Sequence, residues 1–211
     1  ESVINYFIEG YSSGNTPNPC VMCNKKIKSS LLLKKAAELD CEHLATGHYA
    51  RICLNPDTGS TQLSRPQDLR KDQTYFLHGI PSGDLPRLMF PLSELTKTEV
   101  RKIARKLKLS TADKPDSQEV CFVPKDYRKF LKNELNETPL PGEFTSISGE
   151  VLGEHKGLPF YTIGQRRGLG LNDTTPYFVV KIDKGQNRIV LGKEDDLYSK
   201  TISVSSVNWV S

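Results

Sequence analysis

No stretch of this sequence is apolar for long enough to cross a bilayer. Its first residues, ESVINYFIEG, lack the basic-then-apolar order of a secretory signal. There is no internal repeat and no low-complexity tract, which sets aside solenoids and disordered tails. Charge of one sign is also scarce: the net value is +4, which permits a nucleic-acid partner without demanding one. The five cysteines, Cys20, Cys23, Cys41, Cys53 and Cys121, are odd in number. With no leader before them, that count argues against an extracellular disulfide framework. The expectation is a cytoplasmic protein without a membrane partner, some of whose thiols do chemistry. With 36% hydrophobic and 26% charged residues, the 211-residue chain has a globular balance, long enough for one large domain or two to three small modules.

What the chain does have begins with TPNPCVMCNKK, Thr16–Lys26. Proline fixes its own φ and biases the residue before it toward extended backbone, so Pro17 and Pro19 leave little freedom around Asn18. Such rigidity suits a loop that must present Cys20 or Cys23 in one place. A helix is expected from Asn24 to Leu39, with Ile27, Leu31, Leu32, Ala36 and Leu39 at helical spacing. A start there would set Cys23 at the helix N-terminus beside Lys25 and Lys26, an environment that favours a thiolate. Half a zinc site or a buried pair are the competing readings. A zinc ribbon would need a second CxxC or paired histidines, and the sequence has neither.

Further on, CEHLATGHYARI reads as a short strand ending at Thr46-Gly47-His48. In open α/β sheets ligands bind at the carboxyl ends of strands, and Gly47 allows close approach of a nucleotide. Residues 53–70 read as a turn-rich connection. PLSELTKTEVRKIARKLKL, 91–109, reads as a helix with a Thr96–Glu99 capping box and an inner stripe of Val100, Ile103, Ala104 and Leu107. A short helix follows Pro124, turning Tyr127, Phe130, Leu131 and Leu135 inward. Beyond the break near 140 the pattern changes to short strands: 177–183 and 188–192 form a hairpin around KGQN, and TISVSSVNWV adds another strand. This is the start of a small β-barrel.

Cys121, in KPDSQEVCFV with Asp116 and Ser117 upstream, fits a buried small hydrophobe when taken alone. RKDQTYFL sets Lys71, Asp72 and Gln73 ahead of Tyr75 and Phe76, residues able to meet phosphate and base edges. Lys97, Arg101 and Arg105 fall on one helical line with Lys102 and Lys106 beside it. Lys125, Arg128, Lys129 and Lys132 repeat the pattern, and YTIGQRRGLG adds Gln165, Arg166 and Arg167 in a glycine-bounded loop. Three basic elements in a chain of small net charge imply segregation of sign, which suits a phosphate backbone.

TPNPCVMCNKKIK, LATGHYAR, KDQTYFL, DSQEVCFV and YTIGQRRGLG stand in the order found in bacterial tRNA-specific 2-thiouridylases, and the whole chain resembles that family, the MnmA family. The resemblance implies an α/β plus β architecture. Residues 1–70 would form the rear of a PP-loop (ATP-pyrophosphatase, Rossmann-like) nucleotide domain, 71–140 a small central tRNA-binding α/β domain, and 141–211 the start of a C-terminal barrel. It implies replacement of the C2 oxygen of the wobble uridine of tRNA by sulfur, with ATP and Mg²⁺ activating that oxygen and a persulfide donor or relay protein delivering sulfur. Cys121 resembles the persulfide-bearing cysteine and Cys23 its partner thiol, the pair ending the cycle as a disulfide. Asn18, Pro19 and Cys20 match the loop under the target base. Gly47 would lie at the nucleotide, and His48 with Lys71, Asp72, Gln73 and the Gln165–Arg167 loop at the tRNA.

Two departures alter the expectation. The family often carries aspartate, resembling a proton shuttle, where this chain has Cys20. Cys20 could instead join Cys23 and Cys121 as ligands of an iron–sulfur cluster. The glycine- and serine-rich SGGxDS loop that cradles pyrophosphate has no counterpart, since SSGN at 12–15 does not match. The chain is therefore expected to be an internal piece that does not turn over alone. A non-catalytic RNA-binding module with structural or metal-holding cysteines is the alternative.

Overall fold

The computed structural model describes residues 1–115, 120–123, 126–135, 138–171 and 176–209. The expectations placed on Asp116, Ser117, Pro124 and Lys125 lie outside the described residues. The chain starts with α1 (Ser2–Ser12). By its contacts it forms two compact units, Cys20–Gln118 with Ser205–Ser211, and Glu1–Pro19 with Glu119–Val204.

In the unit that follows Pro19, α2 (Pro19–Cys23), a π-wound stretch (Asn24–Leu32) and α3 (Leu33–Glu38) run on as one helical segment, with right-handed helical dihedrals at both joints. The helix expected from Asn24 therefore begins five residues earlier. Proline suits a first helical position because its φ is already helical and no N–H is needed there. The winding also moves the inner face. Asn24 and Ser29, five apart as π geometry demands, are buried, followed by Leu33 and Ala36. Of the five apolar positions read at helical spacing only Ala36 is buried, while Leu31 and Leu39 are 60% and 63% exposed.

Leu33 joins Ala50, Leu77, Ile80, Leu85, Leu88 and Phe90 in this unit's core. Around it lie β1 (Leu44–Ala45), β2 (Arg51–Leu54), β3 (Thr61–Ser64) and β4 (Leu88–Met89). β1 pairs in parallel with β4, and β2 with β3 as a hairpin. The stretch 53–70 thus holds a strand that its turn-rich composition concealed. Its turn residues close the hairpin, with Asn55 Oδ1 accepting from the N–H groups of Asp57 and Thr58.

α4 (Lys97–Lys106) carries the expected capping box: Thr96 Oγ1 accepts from Glu99 N–H, and Glu99 accepts from Thr96 N–H at 2.7 Å. Its expected apolar stripe is only partly covered, and Ile103 and Leu107 are 44% and 62% exposed. Polar ties set this helix instead. The buried Asp68 accepts from Lys97 N–H at 3.0 Å, and Arg105 donates twice to Asp113 Oδ1.

The other unit packs α1 and α5 (Tyr127–Glu134) on a four-stranded sheet of β5 (Gly142–Ser146), β6 (Val151–His155), β7 (Phe178–Asp183) and β8 (Arg188–Gly192). The strand order is β6-β5-β8-β7, with β5 and β8 parallel and the other neighbours antiparallel. Among the described residues the sheet does not close into a barrel. The expected hairpin, β7 to β8 around Lys184–Asn187, is present. α5 is capped by Asp126 and buries Leu131, with Tyr127, Phe130 and Leu135 against the same core, as their spacing predicts.

TISVSSVNWV forms no strand over its described residues. Ile202, Val204 and Trp209 are exposed and find no sheet edge, while Asn208 donates to the carbonyls of His78 and Ile80.

Phe144 on β5 sits opposite Ile189 in the parallel register, and both are fully buried. Its ring also meets Tyr161 edge-on at 5.2 Å. Phe144→Ala should lower unfolding free energy by about 3–5 kcal/mol, read from urea denaturation. A loss below about 1 kcal/mol would mean this core can collapse around the gap.

Candidate functional site

Cys20 and Cys23 lie at the start of the helical segment, Cys20 exposed and Cys23 half-buried. Because the helix starts at Pro19, Cys20 occupies the first turn. Cys23 stands at the α-to-π joint, not at the N-terminus expected for it. The loop ahead is fixed at its other side, where Pro17 lies so close to Gly10 of α1 that a Cβ there would sit 2.7 Å from the Pro17 ring. The helix is then tied to its own unit by polar contacts. Asn24, 2% exposed, donates from Nδ2 to the Phe76 carbonyl at 2.9 Å. A turn further on, Lys28 donates from Nζ to His48 Nε2 at 3.4 Å.

His48 follows Gly47 at the carboxyl end of β1. An ammonium can only donate, so Nε2 is the acceptor and the ring proton sits on Nδ1, where it donates to Thr46 Oγ1 at 2.8 Å. The ring meets Phe90 edge-on at 6.0 Å. Burial, reinforced by the Lys28 charge, lowers the His48 pKa to about 4. It is therefore neutral at pH 7, and any positive charge at this point belongs to Lys28. Gly47 is exposed, and a Cβ built on it would meet only Leu92 Cδ1, at 3.9 Å. Neither packing nor a left-handed φ requires glycine there.

The KDQTYFL segment turns out to brace this region. Gln73 Oε1 accepts from Tyr49 N–H and Gln73 N–H donates to the Tyr49 carbonyl, both at 2.9 Å. Asp72 Oδ1 accepts from Thr74 N–H and Oγ1, and Oδ2 accepts from Arg65 Nε at 2.7 Å. Burial would raise the Asp72 pKa, but the Thr74 hydrogen bonds and the Arg65 pair outweigh it and hold it below the ordinary value. Both side chains are thus committed to the fold. The structure brings Cys20, Cys23, Gly47, His48, Asp72 and Gln73 into one unit, together with Lys71. Asn24, Lys28, Thr46 and Arg65 join them and were not singled out from sequence.

Cys121 belongs to the other unit. It is exposed, not the buried small hydrophobe its context suggested. Val123 N–H closes a turn onto the Val120 carbonyl, and Phe122 and Val123 anchor that turn in the core, Phe122 edge-on to Phe7 at 5.4 Å. The thiol is left at the corner. In the same unit Gln165 braces the YTIGQRRGLG loop, accepting from Thr162 N–H and donating to the Arg167 carbonyl. Arg166 lies 5.9 Å from the centre of the Phe178 ring, and Arg167 is exposed. Arg166 to Leu171, with Pro176 and Tyr177, line an open cavity of about 360 Å³. The basic lines are partly spent on folding. Arg128 donates to the Phe160 carbonyl, and Lys97 lies over the Tyr49 ring.

All five cysteines are free thiols, so the disulfide implied for the end of a cycle is not formed here. Among the described residues no three His, Cys, Asp or Glu side chains are grouped to hold a metal ion. The three-cysteine iron–sulfur alternative therefore has no support in this geometry. Among the same residues no helix is long and apolar enough to cross a membrane.

A family model described as the tRNA methyl transferase HUP domain matches residues 1–125, and one described as the tRNA methyl transferase PRC-barrel domain matches 128–193. The chain is 50% identical over 209 residues to the tRNA-specific 2-thiouridylase MnmA of Carboxydothermus hydrogenoformans, covering 99% of this chain and 57% of that protein. It is 46% identical over 212 residues to the protein of the same name from Symbiobacterium thermophilum, covering 54% of its length. The chain belongs to the MnmA family. It spans under three fifths of the length of these relatives.

In this MnmA-family chain the neutral His48 makes stability depend on pH. Its folded pKa of about 4 lies below the ordinary 6.5, so the unfolded chain binds more protons between those values. Stability should be full above about pH 6.5 and decline as pH falls toward 4. Burial also lowers the His155 pKa, which adds in the same direction. His48→Asn should flatten the decline in urea midpoint across that window. A slope equal to that of the unsubstituted chain would contradict the half-buried, neutral ring.

Proposed function

We propose that this chain carries the thiols, the target-base loop and part of the nucleotide and tRNA contacts of an enzyme that exchanges the C2 oxygen of the tRNA wobble uridine for sulfur. The observation that supports this best is the joining of three separate motifs in one unit. Asn24 ties the CxxC helix to KDQTYFL, Gln73 ties KDQTYFL to GHYAR, and Lys28 ties GHYAR back to the helix. The helix that bears Cys20 and Cys23 is thereby tied to the segment that follows a parallel strand, the place where α/β proteins hold nucleotides. The family models' descriptions speak of methyl transfer and the relatives' names of thiolation. The relatives match along essentially the whole chain at 46% and 50% identity, which favours the second.

ATP with Mg²⁺, when bound, would supply activation of the uridine oxygen as a leaving group. Gly47, exposed and with one ordinary contact at its Cβ position, would lie against it. The chain's own part is the sulfur chemistry. Cys121, exposed on its anchored turn, would carry a sulfane sulfur as a persulfide received from a donor protein. Cys23 as thiolate attacks the Cys121 Sγ. The Sγ–Sγ bond forms, the bond from Cys121 to the outer sulfur breaks, and hydrosulfide leaves with the electron pair. Hydrosulfide adds to C2 as the activated oxygen departs, which gives 2-thiouridine. Two thiol electrons have then gone to the sulfane sulfur, and an external reductant must reopen the disulfide before the next cycle. This step requires the two sulfurs to meet at about 2 Å in the bond formed.

Asn18, Pro19 and Cys20 would face the base, with Cys20 next to the reacting oxygen. His48, Lys71 and the Gln165–Arg167 loop would face the tRNA, with Asp72 and Gln73 holding that surface in shape. The division into 1–70, 71–140 and 141–211 and a cytoplasmic location belong to this reading.

The test assays 2-thiouridine in wobble-uridine tRNA, given ATP, Mg²⁺ and a persulfide donor, with the chain extended to its relatives' full length. Cys23→Ser and Cys121→Ser should each reduce formation by at least about 10³-fold, the scale for loss of a nucleophile. Thiolation that survives both changes rules the mechanism out. Binding of tRNA indifferent to all three cysteines, with no thiolation by the unsubstituted protein, would leave an RNA-binding module.

A further inference from the structure

Lys28 carries a charge that the fold does not use. It is half-buried, and among the described residues its hydrogen-bond partner is the His48 ring, with no carboxylate paired to it. An ammonium has three donors. His48 Nε2 takes one and, being neutral, cancels none of the charge. Two donors and a full positive charge remain, held in place by a ring that is itself locked between Thr46 Oγ1 and Phe90. Beside it Gly47 is exposed, and a Cβ there would meet only Leu92 Cδ1, at 3.9 Å. A solvated lysine would not need a half-buried, neutral histidine to aim it. A structural lysine at this depth would be expected to meet a carboxylate.

We propose that Lys28 is a phosphate-binding residue of this site, with His48 as the neutral acceptor that orients its ammonium beside the opening at Gly47. The proposal rests on the reading of that opening as part of a nucleotide and RNA site, and it adds a residue and a chemical role to it. The ligand group is a phosphate ester or anhydride, from the tRNA backbone or from a nucleotide. The arrangement also explains why His48 is not the cation. Its low basicity keeps it an acceptor throughout the physiological range, so Lys28 stays directed toward the site.

The experiment follows the His48 ring by ¹⁵N NMR in the 211-residue chain, titrated separately with inorganic pyrophosphate, ATP and unmodified tRNA. A phosphate drawn to Nζ should shift the His48 Nε2 resonance in a saturable way. In Lys28→Gln the same titration should need roughly tenfold or more ligand, the scale of one lost charged hydrogen bond. Lys28→Arg, which keeps the charge and a donor, should retain most of the response. It also shows whether loss in Lys28→Gln reflects charge or misfolding. A response to ATP alone assigns the phosphate to a nucleotide. A response to tRNA alone, with a salt slope smaller by about one in Lys28→Gln, assigns it to the RNA backbone. A His48 ring unmoved by all three ligands, or moved equally in Lys28→Gln, overturns the proposal. Failure of sulfur transfer would be seen in the thiolation assay and leaves this titration untouched.

Discussion

Between Asn24 and Leu32 the thiol-bearing helix is wound with hydrogen bonds five residues apart, and that winding decides which side chains meet the rest of their unit. In an ordinary α-helix Asn24 and Ser29 would face different ways. Here both turn inward, Asn24 reaches the Phe76 carbonyl, and Leu33 and Ala36 enter the core where α geometry resumes. The direction of Cys20 and Cys23 follows from the same fact, because they stand immediately ahead of the π stretch on a segment with no break. The arrangement has a cost. Asn24 Oδ1 is buried without a hydrogen-bond partner among the described residues, a deficit of about 1–3 kcal/mol for such an acceptor. The contacts of the opposite face must offset it.

Backbone clasps carry much of the remaining order. Gln73 imitates a strand against Tyr49, with its side chain supplying one hydrogen bond and its main chain the other. Asp72 caps the turn that follows and pairs with Arg65, and Asp68 reaches α4. Hydrogen bonds from the Lys97 and Arg70 N–H groups keep the Asp68 carboxyl below the ordinary range despite burial. Residues that look from sequence like a recognition surface are in good part its scaffold. What they hold in place is a neutral imidazole, an ammonium and an open glycine.

The unit that bears Cys121 solves a different problem, which is to expose a thiol without letting it wander. Phe122 packs against Phe7 and Phe130, Val123 is buried, and a hydrogen bond across the turn fixes the corner between Val120 and Val123. α1 is part of that anchorage, with Tyr11 stacked on Tyr127 at 5.0 Å. Behind it the paired strands β5 and β8 bury Phe144 and Ile189 side by side, and His155 is held on both ring nitrogens by Gly157 N–H and the Asn187 carbonyl.

The sequence by itself determined whatever depends on neighbours along the chain: the capping box at Thr96, the buried face of α5, the hairpin around Lys184–Asn187, and the motifs that carry the family likeness. Local propensity and short-range hydrogen bonds specify such features, so they can be read from a few adjacent letters. Only the tertiary structure decided the rest. The π winding that sets the inner face of the thiol helix, the strand hidden at Thr61–Ser64, the missing strand after Thr201, the outward turn of Cys121 and the pairing of Lys28 with His48 all depend on partners distant in sequence. A strand needs an edge to join, a helix face needs a core to meet, and an ammonium's partner is whatever the fold sets beside it. None of these is encoded at a fixed spacing.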